Sequence, residues 1–353
     1  MQRSGGKGSV LAFYGRIGLV LHAFLLSLFI LYIGKVLFIP LFFALLIAIL
    51  LYPLTLFFEQ RIKKTPAAIL SVLIFIFFVG LLIFFFIKEL LVFFKDLPLL
   101  QSKFLQEVQS VQNWIVFKFH INVSQQMEYI RRTANDVLSD LLSSAGATVI
   151  GFVEVIVLFA FFLIFTYFIL LHRRLFKSFI LSFFNESQQL RVNTITNSTR
   201  TMINHYVLGL LTEMAVLFTL ILVVLLILGA KYALLIAVIA AVFNIIPYIG
   251  IYVAAAIAMF ISLINGSGHL AIEVGITFVI VHFIDANILM PHIVGSRVKI
   301  NPFITIVAVI TGKLIWGIPG MFLFIPLTAI IRIISENVSS LKPWSILIGE
   351  EKG

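Results

Sequence analysis

Apolar residues in this chain come in long unbroken runs, with the charged residues gathered between them. Runs at about Ile17 to Ile33, Leu37 to Phe58, Ala67 to Ile87, Thr148 to Leu171, Val207 to Leu228 and Ala271 to Met290 approach the roughly 20 residues needed to cross a bilayer's hydrocarbon layer. Lipid offers no partner to backbone N–H or C=O groups, so these runs predict helices. Runs such as Leu70 to Ile87 lack the two-residue alternation of a membrane barrel. Two further apolar stretches, Ala233 to Ile264 and Ile304 to Ile334, are broken midway. The first is interrupted by Asn244-Ile245-Ile246-Pro247-Tyr248-Ile249-Gly250 and the second by Trp316-Gly317-Ile318-Pro319-Gly320. As one straight helix each would be nearly 50 Å long at about 1.5 Å per residue, and its central proline removes a donor and clashes with the preceding turn. A long kinked span or a re-entrant hairpin fits either stretch. The pattern predicts an all-α polytopic integral membrane protein with about six full transmembrane helices plus two broken or re-entrant hairpins, seven to eight spans by simple hydropathy.

Composition agrees with that solvent. Of 353 residues 61% are hydrophobic and 11% charged, with 37 Phe against 10 Pro. Soluble proteins run about half apolar and a quarter charged, and disordered chains are poor in apolar residues. The net charge of +10 lies mainly between the runs, as cytoplasmic loops require, with no aromatic-interleaved basic module for nucleic acid. The chain has no Cys, which removes disulfides, thiolate metal sites and Cys nucleophiles. It also lacks a nucleophile elbow, a phosphate-cradling glycine loop, an HExxH pair and Walker motifs, so neither an enzyme, a cofactor nor an ATP drive is expected.

Charge also orients the chain. Arg3, Lys7 and Arg16 together with Arg61, Lys63 and Lys64 place the N-terminus in the cytoplasm, with a tight antiparallel turn expected at Gly34 and Lys35. The first apolar run has no small-residue cleavage site after it and reads as a retained span. Paired hairpins put Lys231 outside and Arg297 and Lys299 inside, beside a cytoplasmic C-terminus carrying Arg332 and Lys342. Kinked full spans put Arg297 and Lys299 outside, against the rule, so the charges favour hairpins.

Five regions follow. Residues 1–87 hold scaffold spans one to three, 88–147 an extracytoplasmic helical insertion, and 148–206 the fourth span with a cytoplasmic amphipathic helix. Residues 207–341 form a transport region of two span-plus-broken-hairpin units, and 342–353 a cytoplasmic tail. In the insertion, Leu97, Leu100, Phe104, Val108, Val111 and Ile115 step by three and four, giving a helix with one apolar face; a second helix at Met127 to Leu142 would complete a solvated hairpin. Between His172 and Asn204, Arg173, Arg174, Lys177, Arg191 and Arg200 alternate with Phe176, Phe183, Phe184 and Ile195, the composition of a helix lying on an anionic leaflet.

Two hairpins entering from opposite faces make an inverted repeat with broken helices, a mark of secondary transporters. Half-helix ends at membrane depth offer free backbone groups to a solute, so the tips are the candidate transport site: Pro247 and Gly250 in the first, Pro319 and Gly320 in the second. Asn244, Tyr248 and Asn287 are the candidate hydrogen-bonding side chains. Ionisable groups inside apolar runs cost several kcal/mol unless partnered, which singles out Glu213, Asp285 and Lys313 as coupling residues. Pairing Lys313 with Asp285 or Glu213 would neutralise charge and could be made or broken by a proton or cation. Glu154 and Glu273 lie near span ends, where an interfacial position explains them. His282 and Asp285 alone are too few for a metal site, and none is expected.

The C-terminal half resembles the autoinducer-2 exporter (AI-2E) family of bacterial transporters. The resemblance rests on Asn204-His205-Tyr206-Val207-Leu208-Gly209, the tip sequence from Phe243 to Gly250, Asp285-Ala286-Asn287-Ile288-Leu289-Met290-Pro291 with Gly295 and Pro302, Gly317-Ile318-Pro319-Gly320-Met321, and Ile325-Pro326. It implies a multi-pass protein of the bacterial inner membrane, homo-oligomeric, exporting a small hydrophilic solute such as autoinducer-2 by alternating access. Sodium/proton antiport is the alternative that the same resemblance brings, and a non-transporting membrane scaffold is the alternative from another class. The expected partners are a small polar solute or cation, the lipid bilayer and further copies of the chain, with no nucleic acid. Met290 stands where family members often carry a polar or acidic residue before the proline.

Overall fold

The apolar runs are helices, as a solvent without hydrogen-bond partners requires. A computed structural model describes residues 5–119, 124–245, 250–265, 268–295 and 300–350, and among them the chain is helical nearly throughout, with one isolated β-bridge between Ile300 and Gly349. Helix α1 covers Gly5–Ile33, α2 Lys35–Glu59, α3 Lys64–Phe119, α4 Ser124–Ser182 and α5 Glu186–Ile227. Then come α6 (Ala233–Phe243), α7 (Gly250–Asn265) and α8 (Gly268–Ile284), which runs into a π-helical segment, Asp285–Gly295. Helices α9 (Pro302–Trp316) and α10 (Ile318–Asn337) follow, then a 3₁₀ turn, Ser339–Leu341, and α11 (Lys342–Ile348). Among the described residues, six helical segments are long and apolar enough to cross a membrane: Lys35–Glu59, Lys64–Lys118, Val155–Ser182, Glu186–Ile227, Gly268–Leu289 and Ile318–Asn337.

Both interrupted stretches are broken helices that fold back. Helices α6 and α7, of 11 and 16 residues, are each shorter than a full crossing needs. Helix α9 has 15 residues and packs along α10, which has 20. The second break is one residue wide: Gly317, at φ +66° and ψ −143°, adopts backbone angles that a side chain would strain.

The chain forms two compact units. The first comprises Met1–Ala48, Leu158–Thr196 and Ile300–Gly353. Here Phe42 and Phe324 pack on Trp316, Phe43 stacks on Phe322 at 5.5 Å, and the buried indole of Trp316 donates to the carbonyl of Leu31 at 2.8 Å. Leu31 lies in the last turn of α1, where carbonyls lack intrahelical partners, so Trp316 acts as a side-chain cap. The expected antiparallel turn at Gly34 and Lys35 is instead a one-residue interruption. Gly34 N–H still reaches Ile30 O, and Phe38 N–H reaches Gly34 O, leaving no room for a loop. A glycine suits the break because a Cβ there would lie 2.6 Å from the Phe38 ring.

The second unit comprises Ile49–Val157 and Asn197–Lys299. Thr55 donates to Ser71 at 2.9 Å between α2 and α3, both side chains fully buried, and the Arg200 guanidinium lies 4.4 Å from the Tyr52 ring centre. The helices of the insertion are continuous with the spans beside it: α3 runs unbroken through residue 119, and α4 runs from 124 through the fourth span. Continuing a helix satisfies the backbone without a new nucleus, which explains the fusion. Its apolar stripe finds a partner in the first broken hairpin, for Leu97 and Leu100 are buried with residues of α6 and α7, and Phe104 packs on Phe260.

Candidate functional site

The first hairpin's tip sets the site. Helix α6 is apolar to its end at Phe243, and Asn244 follows as C-cap with its N–H bonded to Ala240 O. Where the chain returns, a Cβ on Gly250 would lie 1.7 Å from Phe243 O, so only glycine permits this approach of backbone to backbone. Gly250 is thereby explained by packing. Pro247 and Tyr248, expected at this tip, lie outside the described residues.

Asn244 joins two carboxyl groups from other helices. Its Nδ2 donates to Glu213 Oε1 on α5 at 3.1 Å and reaches Asp285 Oδ2 at 3.5 Å. The one amide nitrogen thus brings the carboxyl groups of Glu213 and Asp285 side by side. Glu213 is 6% exposed and Asp285 5%, so both sit in the unit's interior. Two carboxyl groups this close can share a proton or flank a cation, and an amide can turn its donor or acceptor end to the result. Asp285 stands where α8 changes from α to π geometry, a change of winding often found at functional positions.

One turn earlier on α8, His282 Nε2 lies 3.2 Å from Tyr252 Oη of α7, with the rings edge to face at 5.2 Å. His282 Nδ1 and Asp285 Oδ1 are both buried with no hydrogen-bond partner among the described residues. Among those residues no three of His, Cys, Asp and Glu gather as a metal-holding group.

The other expected residues fall elsewhere. Asn287 is exposed and its amide donates to Phe283 O at 2.8 Å in its own helix. Lys313, Pro319 and Gly320 belong to the first unit: Lys313 is exposed on α9, Pro319 is half-buried in the first turn of α10, and Gly320 is buried against Gly312. Of the residues singled out in the sequence, the structure therefore brings together three, Glu213, Asn244 and Asp285, and not the pairing of either carboxyl group with Lys313.

Sequence reasoning missed a second polar cluster in the same unit. Asp96 Oδ2 on α3 accepts from Lys231 Nζ at 2.7 Å and from Tyr232 Oη at 2.6 Å. Tyr232 holds φ +62°, a left-handed conformation costly for an aromatic residue, and its ring packs edge-on against Phe93 at 5.4 Å. The signal in the sequence is slight: Asp96 lies in a polar insertion among other charges, and Lys231 is a lone base in a short loop.

The fold and buried polar cluster define the class: an all-α, multi-pass membrane protein with broken helices and ionisable groups inside. The chain belongs to the AI-2E family transporters, whose family model matches residues 21–340. It is similar to YrrI of Bacillus subtilis (strain 168), which carries a transport-protein name, at 36% identity over 30% of each chain. A similarly named protein of Borreliella burgdorferi is 35% identical over 34% of each, and YhhT of Escherichia coli K12 is 31% identical over 34% of this chain and 35% of its own. The aligned stretch spans about a third of the length of each of these relatives.

Proposed function

We propose that the protein is a secondary transporter that exports a small hydrophilic solute such as autoinducer-2 by alternating access, with Glu213, Asn244 and Asp285 as its coupling site. The observation that carries this reading is the Asn244 amide at a helix break, donating to one buried carboxyl group and reaching a second. Buried carboxyl groups facing each other in a membrane protein are costly unless a proton, a partner or a bound cation relieves their charge. Protonation or cation occupancy alters that cost, and Asn244, at the end of α6, is placed to respond to it. The solute passes unchanged, with no chemical step. The reading includes a homo-oligomer in the bacterial inner membrane with both termini cytoplasmic, and the second hairpin's tip, with Pro319 and Gly320, as part of the solute path.

A second reading, sodium/proton antiport, is favoured by the ligand set itself, since two carboxyl groups and one amide suit a proton or monovalent cation better than a polyol. Inside-out vesicles containing the full chain separate the two. Autoinducer-2 accumulation that is lost in Glu213→Gln and Asp285→Asn supports the first reading. Sodium-dependent proton movement lost in the same variants, without autoinducer-2 accumulation, replaces it with the second. Both activities unchanged in both variants would remove the coupling site.

A further inference from the structure

Helix α4 ends in an exposed elbow, at whose base Arg173 Nη1 donates to Leu170 O at 3.2 Å. At His172 the backbone leaves helical geometry, φ −101° and ψ 15°, and the ten residues 173–182 continue as a separately directed helical arm. Residues 174–180 of that arm are all exposed. Phe176, Phe179, Ile180 and Phe183 fall at spacings of three and four and therefore on one face, with Phe179 59% and Phe183 71% exposed. Arg173 and Lys177 flank that face on one side, with Arg174 beyond them.

The turn after this arm is fixed rather than loose. Asn185 N–H donates to Gln188 Oε1 at 3.3 Å, and the N–H groups of Gln188 and Gln189 donate to Asn185 O at 2.8 and 3.0 Å, a capping arrangement that starts α5. Gln189 Nε2 donates back to Phe184 O in the turn at 3.2 Å and reaches Leu181 O in the last turn of α4 at 3.5 Å. An elbow whose backbone ends are capped, yet which holds its rings outward, is not waiting to fold on its own core. Charge identifies what covers it: residues 172–191 contain four basic residues, Arg173, Arg174, Lys177 and Arg191, against one acid, Glu186.

We propose that this elbow is a docking surface for anionic phospholipid, the rings entering the acyl boundary and the bases engaging headgroup phosphates. An aromatic face edged by a cationic stripe matches that interface, whereas an uncharged core or an acidic partner complements only half of it. Each neutralised base should lower the elbow's partitioning to an anionic surface about fivefold, the equivalent of roughly 1 kcal/mol per charge.

The Cys-free chain allows a direct test. Single nitroxide labels at Phe179→Cys and, on the opposite side of the arm, Ser178→Cys are placed in the full chain reconstituted in phosphatidylglycerol-rich and in phosphatidylcholine vesicles. At 179, collisions with oxygen should exceed those with a water-soluble nickel chelate, and at 178 the order should reverse. In phosphatidylcholine, or with Arg173, Arg174 and Lys177 changed to Gln, the 179 label should move toward the aqueous signature. Equal aqueous exposure at both sites in both vesicles overturns the proposal. So does a 179 label shielded from both reagents, which marks a protein partner such as a second copy, and so does a depth indifferent to lipid charge.

Discussion

Gly312 and Gly320 meet backbone to backbone across the second hairpin: a Cβ on Gly312 would lie 2.2 Å from Gly320 O, and one on Gly320 2.0 Å from Gly312 O. Lipid gives no hydrophobic push between helices, so close backbone packing of small residues is what holds such a pair. Gly312→Ala or Gly320→Ala should therefore separate α9 from α10 and cost about 1–3 kcal/mol or more, because the obstacle is backbone and cannot rotate away. A lowered midpoint of thermal unfolding for both purified variants checks this. A midpoint equal to the parent's would mean that the hairpin tolerates the spacing.

Asn244, Glu213 and Asp285 should behave as one unit rather than three. Asn244→Ala leaves a buried carboxyl group without its donor, a loss of about 1–3 kcal/mol. Adding Glu213→Gln supplies a new amide and should recover part of it, so the double variant should be more stable than the two single changes added together. A double-mutant cycle on unfolding reads the coupling, which adjacent groups place at about 0.5–3 kcal/mol. Strict additivity would show that the three side chains are neighbours without interaction.

Asp96 should anchor the loop before the first hairpin. The pair with Lys231 is partly solvated, side chains 44% and 28% exposed, so it contributes only about 0.2–1 kcal/mol, and the Tyr232 hydrogen bond roughly 0.5–1.5 more. Hydrogen bonding to Asp96 raises the Lys231 ammonium above its ordinary value of 10.5. A raised folded value means that the ion pair's stabilisation is complete below about 10.5 and lost as pH climbs through the folded value. Asp96→Asn should thus unfold at a lower temperature than the parent at pH 7, with the gap narrowing in strongly alkaline buffer. Tyr232→Phe should lose the hydroxyl's share at either pH. A gap for Asp96→Asn that widens with pH would refute the assignment.

Much of this was legible because lipid makes hydropathy nearly sufficient. Helix class, both breaks and the buried carboxylates follow from run length, central proline and the cost of charge in an apolar run. The grouping of Glu213, Asn244 and Asp285 was open only as candidates, because sequence spacing of 31 and 41 residues fixes no contact. Other features turned on tertiary choices that periodicity does not encode. The 56-residue α3, and α4 from Ser124 to its kink at His172, look like span plus insertion until each is seen to run on without a break. The π geometry from Asp285 changes winding without a composition signal. Residues 342–353 read only as a cytoplasmic tail, yet Asn301 Nδ2 donates to Leu347 O at 2.6 Å and Ile348 is buried.

Trp316 offers the sharpest test of how the first unit is held. Its indole N–H is the donor to Leu31 O, while its ring is 4% exposed and packed by Phe42 and Phe324. Trp316→Phe keeps an aromatic ring but removes the donor, and should cost about 0.5–1.5 kcal/mol for the bond plus a cavity contribution. Trp316→Leu removes ring and donor and should cost more. The distinguishing readout is local: in Trp316→Phe, amide exchange should accelerate in the last turn of α1 near Leu31 while the α9 and α10 amides stay protected. If exchange instead rises throughout α9 and α10, Trp316 acts by filling space between helices and the cap on α1 is incidental.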